Sequence, residues 1–155
     1  MRLIVILAGA ALAASAFLNW MSVPFAGGFT PWDAMRPVLG PDAPTEVLIF
    51  AATFALGGLA ALIALLGRPS RLLTLLAGLA PFGSLIWNQM QAQDALGQVG
   101  LSLWDFSDGI ATALSRMMEF ADVGLYAYWG GAVLLIIAGL SLGGGGRRPR
   151  DHDVI

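Results

Sequence analysis

The sequence predicts an all-α integral membrane protein: a four-transmembrane-helix bundle built from two parallel helical-hairpin repeats, with short amphipathic helices in the outer loops. Three observations carry this. Apolar residues make up 57% of the 155 and charged ones only 12%, at a mean hydropathy of +0.77, which is too apolar for an ordinary soluble domain. Four stretches approach or reach the roughly 20 apolar residues that cross hydrocarbon as a helix. Two of those stretches also match each other at an offset of 69 residues.

The first span is expected at about 3–20, LIVILAGAALAASAFLNW. Arg2, the apolar run and Ala13-Ala14-Ser15-Ala16 also imitate a secretory signal with a small-residue cleavage site. Cleavage there would leave Phe17 as the mature terminus and three spans. The second span is expected at about 47–66, stopped by Gly67-Arg68-Pro69, and the third at about 72–88, with Pro81 expected to kink it. The fourth is expected at about 125–142. None of the four contains Asp, Glu, Arg or His.

Orientation follows from arginine, because cytoplasmic loops retain positive charge. Arg2, Arg68, Arg71, Arg147, Arg148 and Arg150 fall on one side and only Arg36 and Arg116 on the other, where most carboxylates lie. Both termini are therefore placed in the cytoplasm of a bacterial cell, with the chain multi-pass in its inner membrane.

Residues 2–19 and 71–88 agree at Arg2/Arg71, Leu3/Leu72, Leu7/Leu76, Ala8/Ala77, Gly9/Gly78, Ala11/Ala80, Ser15/Ser84 and Asn19/Asn88. Each stretch is followed by an outer loop with a capping box, Thr30-Pro31-Trp32-Asp33 and Ser102-Leu103-Trp104-Asp105. In such a box the hydroxyl of Thr30 or Ser102 accepts an amide hydrogen bond and the carboxylate three residues on reaches back. The organisation predicted is a first hairpin over 1–70 with outer loop 21–46, a second over 71–143 with outer loop 89–124, and a flexible basic tail over 144–155. Parallel repeats of this kind imply a pseudo-two-fold axis along the membrane normal.

The second loop carries the most regular amphipathic pattern, a helix at about 103–121. Asp105, Asp108, Thr112, Ser115, Glu119 and Asp122 mark its wet face, and Leu103, Phe106, Ile110, Ala113, Met117 and Phe120 its dry one. An acidic polar face argues against anionic lipid, so the dry face is expected across the outer mouth of the bundle or on a partner. Trp20, Trp87, Tyr126, Tyr128 and Trp129 read as an interfacial belt, and Trp32 and Trp104 as pins that dock each loop on the bundle, with anchors for a partner as the alternative. Small residues four apart (Gly9/Ala13, Ala51/Ala55, Gly57/Ala61, Ala80/Ser84, Ala127/Gly131) read as close-packing helix faces. Arg147, Arg148 and Arg150 read as a lipid head-group anchor.

Chemistry is bounded by what the composition lacks. With no Cys there is no disulfide or thiolate ligand, and the single histidine, His152, excludes bis-His haem and His-rich metal cages. No carboxylate falls within a span, which argues against proton-coupled transport. All 8 basic residues are Arg and the net charge is −2, so no nucleic acid is expected. The expectation is a non-enzyme without cofactor: an accessory or scaffold subunit of a larger inner-membrane complex that contacts its partners, membrane lipid and an integral membrane protein or further copies of itself, through small-residue helix faces and an acidic, Trp-rich outer surface. The alternative is a lipid or quinone binder with a hydrophobic pocket between the repeats; a weaker one is a channel-forming homo-oligomer.

Overall fold

The computed structural model describes residues 1–23, 27–98 and 121–142. Among them five helices form: α1 (Arg2–Ala14), α2 (Pro31–Met35), α3 (Thr45–Leu65), α4 (Arg71–Gln98) and α5 (Val123–Ser141). A two-stranded antiparallel ladder, β1 (Met21–Val23) with β2 (Gly27–Phe29), lies between α1 and α2. α3 and α5 are long and apolar enough to cross a membrane, whereas α1 is apolar but shorter.

The four longer helices pack in a ring, with α1 against α3 and α5 and α4 against the same two. Its interior is built mainly from small side chains, Ala8, Ala60, Ala64, Ala77, Ala132 and Ala138, around Val5, Leu12 and Leu135. Large side chains such as Leu3, Leu7, Leu59, Leu62, Leu76, Leu79, Leu134 and Ile137 are exposed. Small interior residues let backbones touch. A Cβ on Gly9 would lie 2.6 Å from the Gly57 carbonyl oxygen, and one on Gly78 would lie 2.9 Å from that of Ala132.

Positions 69 apart in α4 and in α1 with its C-cap Ser15 are buried alike. Val5/Thr74, Ala8/Ala77, Gly9/Gly78, Leu12/Pro81 and Ser15/Ser84 are all buried. Gly9 backs onto α3 at Gly57 and Ala61, and Gly78 onto α5 at Ala132 and Ile136, two pairs with the same four-residue spacing. Both serines turn back on their own helix, Ser15 Oγ donating to the Leu12 carbonyl at 2.6 Å and Ser84 Oγ to that of Pro81 at 2.8 Å.

Helix ends differ from the sequence expectation in two places. α1 stops at Ala14 instead of continuing to about residue 20. The cause is competition for carbonyls: that of Ser15 accepts the Trp20 indole N–H (2.8 Å) and that of Ala16 accepts the Trp32 amide (2.9 Å). In a longer helix those two oxygens would bond the next turn. α4, in contrast, continues through Pro81 to Gln98, past the apolar span expected to close near residue 88. Its polar extension, QMQAQDALGQ, is mostly good helix formers, so the helix outlasts the apolar run that hydropathy detects.

The end of α3 follows its sequence signal. Gly67 takes φ +85°, its amide bonds the Ala64 carbonyl (3.0 Å), and the Arg68 amide bonds that of Ile63 (3.2 Å). This is the paired closure that a left-handed glycine allows. Arg2 then donates from Nε to Ala64 O (2.8 Å) and from Nη2 to Leu65 O (2.6 Å). The start of α1 thereby covers the electronegative end of its antiparallel neighbour.

Candidate functional site: the loop end of the bundle

Departures from plain helix packing gather at one end of the ring, where α1 stops and α3 and α5 begin. Trp20 leaves α1 and lies against Phe50, Phe54 and Tyr128, with ring centroids 5.7, 6.3 and 4.8 Å away. Tyr128 continues to Trp129 (5.3 Å) and Trp129 to Phe82 (5.2 Å), so six rings from all four sides of the ring form one cluster. Such contacts add about 0.5–1.5 kcal/mol per pair beyond area burial. Tyr128 is only 2% exposed. Thr53 and Ser84, both buried, are its polar neighbours, which gives its hydroxyl polar company inside an apolar bundle.

A backbone lattice closes this end. Trp20 N bonds Phe29 O at 2.9 Å, Asp122 N bonds Trp20 O at 2.9 Å and Gly124 N bonds Asn19 O at 2.8 Å. Ala121 bridges Met21 as one more antiparallel pair. Asp122, read from sequence as the last acidic residue of the amphipathic helix, instead caps α5: its Oδ1 accepts the Val123 amide at 2.7 Å. Its Oδ2 accepts the Ser22 hydroxyl at 2.5 Å. These two donors, Ser22 first, hold the carboxyl below its ordinary value of 3.8.

The first capping box forms. Thr30 is the N-cap of α2 with Pro31 in the first turn, and Thr30 Oγ1 accepts the Asp33 amide at 3.1 Å. The Asp33 carboxylate reaches back to the Thr30 hydroxyl, at 2.6 Å. Trp32 is placed differently from the expected pin. Its indole is 39% exposed and tilts against Phe17, itself 62% exposed, at 5.3 Å. What pins the loop is the Trp32 amide on Ala16 O, together with buried Pro31 and Met35. Of the tryptophans and tyrosines read as a belt, Trp87 and Tyr126 are exposed, whereas Trp20, Tyr128 and Trp129 pack into the cluster.

Beside the cluster, a cleft of about 310 Å³ opens between α2, the start of α3 and the far half of α4. Ala34, Met35, Val47 and Phe50 make it apolar, and Glu46 and Asn88 supply its polar groups. It therefore joins the two halves of the chain. Sequence reasoning singled out neither Glu46 nor the Thr53–Ser84–Tyr128 group. The Ser15/Ser84 and Asn19/Asn88 identities were the available signal. Ser102, Trp104, Asp105, Phe106, Ile110, Met117, Arg147, Arg148 and Arg150 lie outside the described residues.

Comparison with protein-family models, curated proteins and solved structures finds no match for this chain.

Proposed function

We propose that this chain is a non-catalytic accessory or scaffold subunit of a larger complex in a bacterial inner membrane. In this reading it crosses four times, as parallel hairpins over 1–70 and 71–143, with both termini cytoplasmic. The observation that carries it is the distribution of side-chain size: small residues fill the interior, while exposed Leu and Ile cover α1, α3, α4 and α5 alike. A soluble protein seldom exposes so much contiguous apolar surface, whereas lipid is a suitable solvent for it. At 13 residues, α1 spans only about 20 Å at a rise of about 1.5 Å per residue. The chain from Ser15 to Trp20 supplies the remaining depth, and its paired carbonyls make non-helical backbone tolerable there. The shared burial of positions 69 apart supports a duplication.

Gly9, Gly57, Ala61 and Gly131 are engaged within the chain. Contact with a partner therefore falls to the loop end, where Trp32 is presented on a capped, backbone-anchored helix beside Asp33, with the Phe17 ring against it. Exposed aromatics held rigidly are typical interface anchors. In the second loop, Trp104, Asp105, Phe106, Ile110 and Met117 are the corresponding candidates, and Arg147, Arg148 and Arg150 hold the tail at anionic head groups. Mild-detergent pull-down with native mass measurement tests the reading. A stoichiometric partner lost with Phe17→Ala and Trp32→Ala supports it; a monodisperse monomer that brings down nothing contradicts it.

The cleft favours a second reading, a lipid or quinone binder with its pocket between the repeats. Its apolar lining and about 310 Å³ fall at the small end of ligand pockets. Ala34→Phe, from an exposed position on its wall, should then deplete co-purifying lipid and leave partner capture unchanged.

A further inference from the structure

We propose that the cleft lined by Ala34, Met35, Glu46, Val47, Phe50 and Asn88 selects a phospholipid with an ammonium head group from the surrounding bilayer. This rests on the lipid-binding reading above. Among the described residues that line the cleft, Glu46 carries the one charge, and it is negative. A carboxylate beside an aromatic ring and a thioether suits a cation with an apolar body: the carboxylate forms charge-assisted hydrogen bonds and the ring face attracts the positive charge. Asn88 adds an amide that can accept from the ammonium or donate to an ester.

The surroundings favour a zwitterionic lipid over a free amine. Arg36 follows the cleft residues Ala34 and Met35 directly, at the end of α2. The residue that follows the cleft wall in sequence thus carries a guanidinium, a group suited to phosphate. The cleft also lies where α3 and α4 are neighbours, and both helices expose large apolar side chains along their length, among them Leu48, Leu59, Leu79, Leu85 and Ile86. An acyl chain whose head group sits at Glu46 has that apolar exterior to follow.

The test uses the full chain, purified in a neutral maltoside detergent, stripped of lipid and titrated with dioleoyl phosphatidylethanolamine, dioleoyl phosphatidylglycerol or dioleoylglycerol. Native mass spectrometry reads retention, and circular dichroism checks the helix content of each variant. The expected result is saturable one-to-one retention of phosphatidylethanolamine, at least about tenfold tighter than phosphatidylglycerol. Glu46→Gln should erase that preference while leaving residual retention of all three, and Ala34→Phe should remove retention altogether. Equal retention of the three lipids, or a preference that survives Glu46→Gln, overturns the head-group assignment and leaves the lipid-binding reading standing. No retention of any lipid overturns both. Retention of free phosphoethanolamine as tight as that of the intact lipid overturns the bilayer as the source.

Discussion

Gly9 and Gly78 show how one missing side chain sets the spacing of a whole helix pair. Each faces a backbone carbonyl of the returning helix, so that an added Cβ would sit at 2.6 or 2.9 Å from oxygen, closer than carbon and oxygen tolerate. Gly9→Ala should therefore force α1 and α3 apart and cost about 1–3 kcal/mol, the usual range for overpacking. Gly83 and Gly130 have nothing within 4 Å of where a Cβ would lie. Gly83→Ala should be neutral or stabilise by up to about 1 kcal/mol through helix propensity. Thermal unfolding in detergent separates the two, with a lowered midpoint for Gly9→Ala and none for Gly83→Ala. Arg2 acts at the opposite end of the bundle by bonding the Ala64 and Leu65 carbonyls. Arg2→Met should lower stability by about 1 kcal/mol, and hydrogen exchange at the end of α3 should rise.

Among the elements, α2 is too short to persist alone, and its cap and anchor hold it. Thr30→Ala removes the oxygen that accepts the Asp33 amide and should cost about 1 kcal/mol, read as faster proteolysis at 31–35 with α1, α3, α4 and α5 unaffected. Asp122 gives the lattice a pH dependence. Its carboxyl lies below the ordinary 3.8, with the Ser22 hydrogen bond as the larger cause. The contribution is complete above the unfolded value and is lost as pH falls through the lower, folded one. Asp122→Asn should flatten the acid limb of the unfolding profile; an unchanged limb would show that Asp122 does not produce it. The cap at Thr30 and the stop at Gly67 were legible in the sequence because their signals are local. The early end of α1 was not, since the donors that take its last carbonyls, Trp20 and Trp32, arrive from farther along the chain. Hydropathy likewise gave no sign that α4 runs on past residue 88, because it reports an exit from apolar surroundings and helix propensity does not change there. Tyr128 looked like a belt residue by composition, and only its burial against Thr53 and Ser84 reveals it as core.

For the molecule as a whole, small side chains lie inside the ring and large apolar ones outside, the distribution on which the proposed membrane placement rests, with a densely bonded loop end. The offset of 69 residues, visible in sequence, recurs in space as matched burial and matched glycine contacts. The cleft was not legible, because it depends on Asn88 meeting α2 and α3 from the other half of the chain. Placing four crossings in a bilayer is the step on which the proposed scaffold and lipid roles both depend. Because the chain contains no cysteine, single cysteines introduced at Asp42, Ser70 and Asp94 offer unique reporters for a membrane-impermeant maleimide on intact cells. Asp42→Cys and Asp94→Cys should label from outside, and Ser70→Cys only after permeabilisation. Labelling of Ser70→Cys in intact cells, on the same side as Asp42→Cys, would contradict the four-span account.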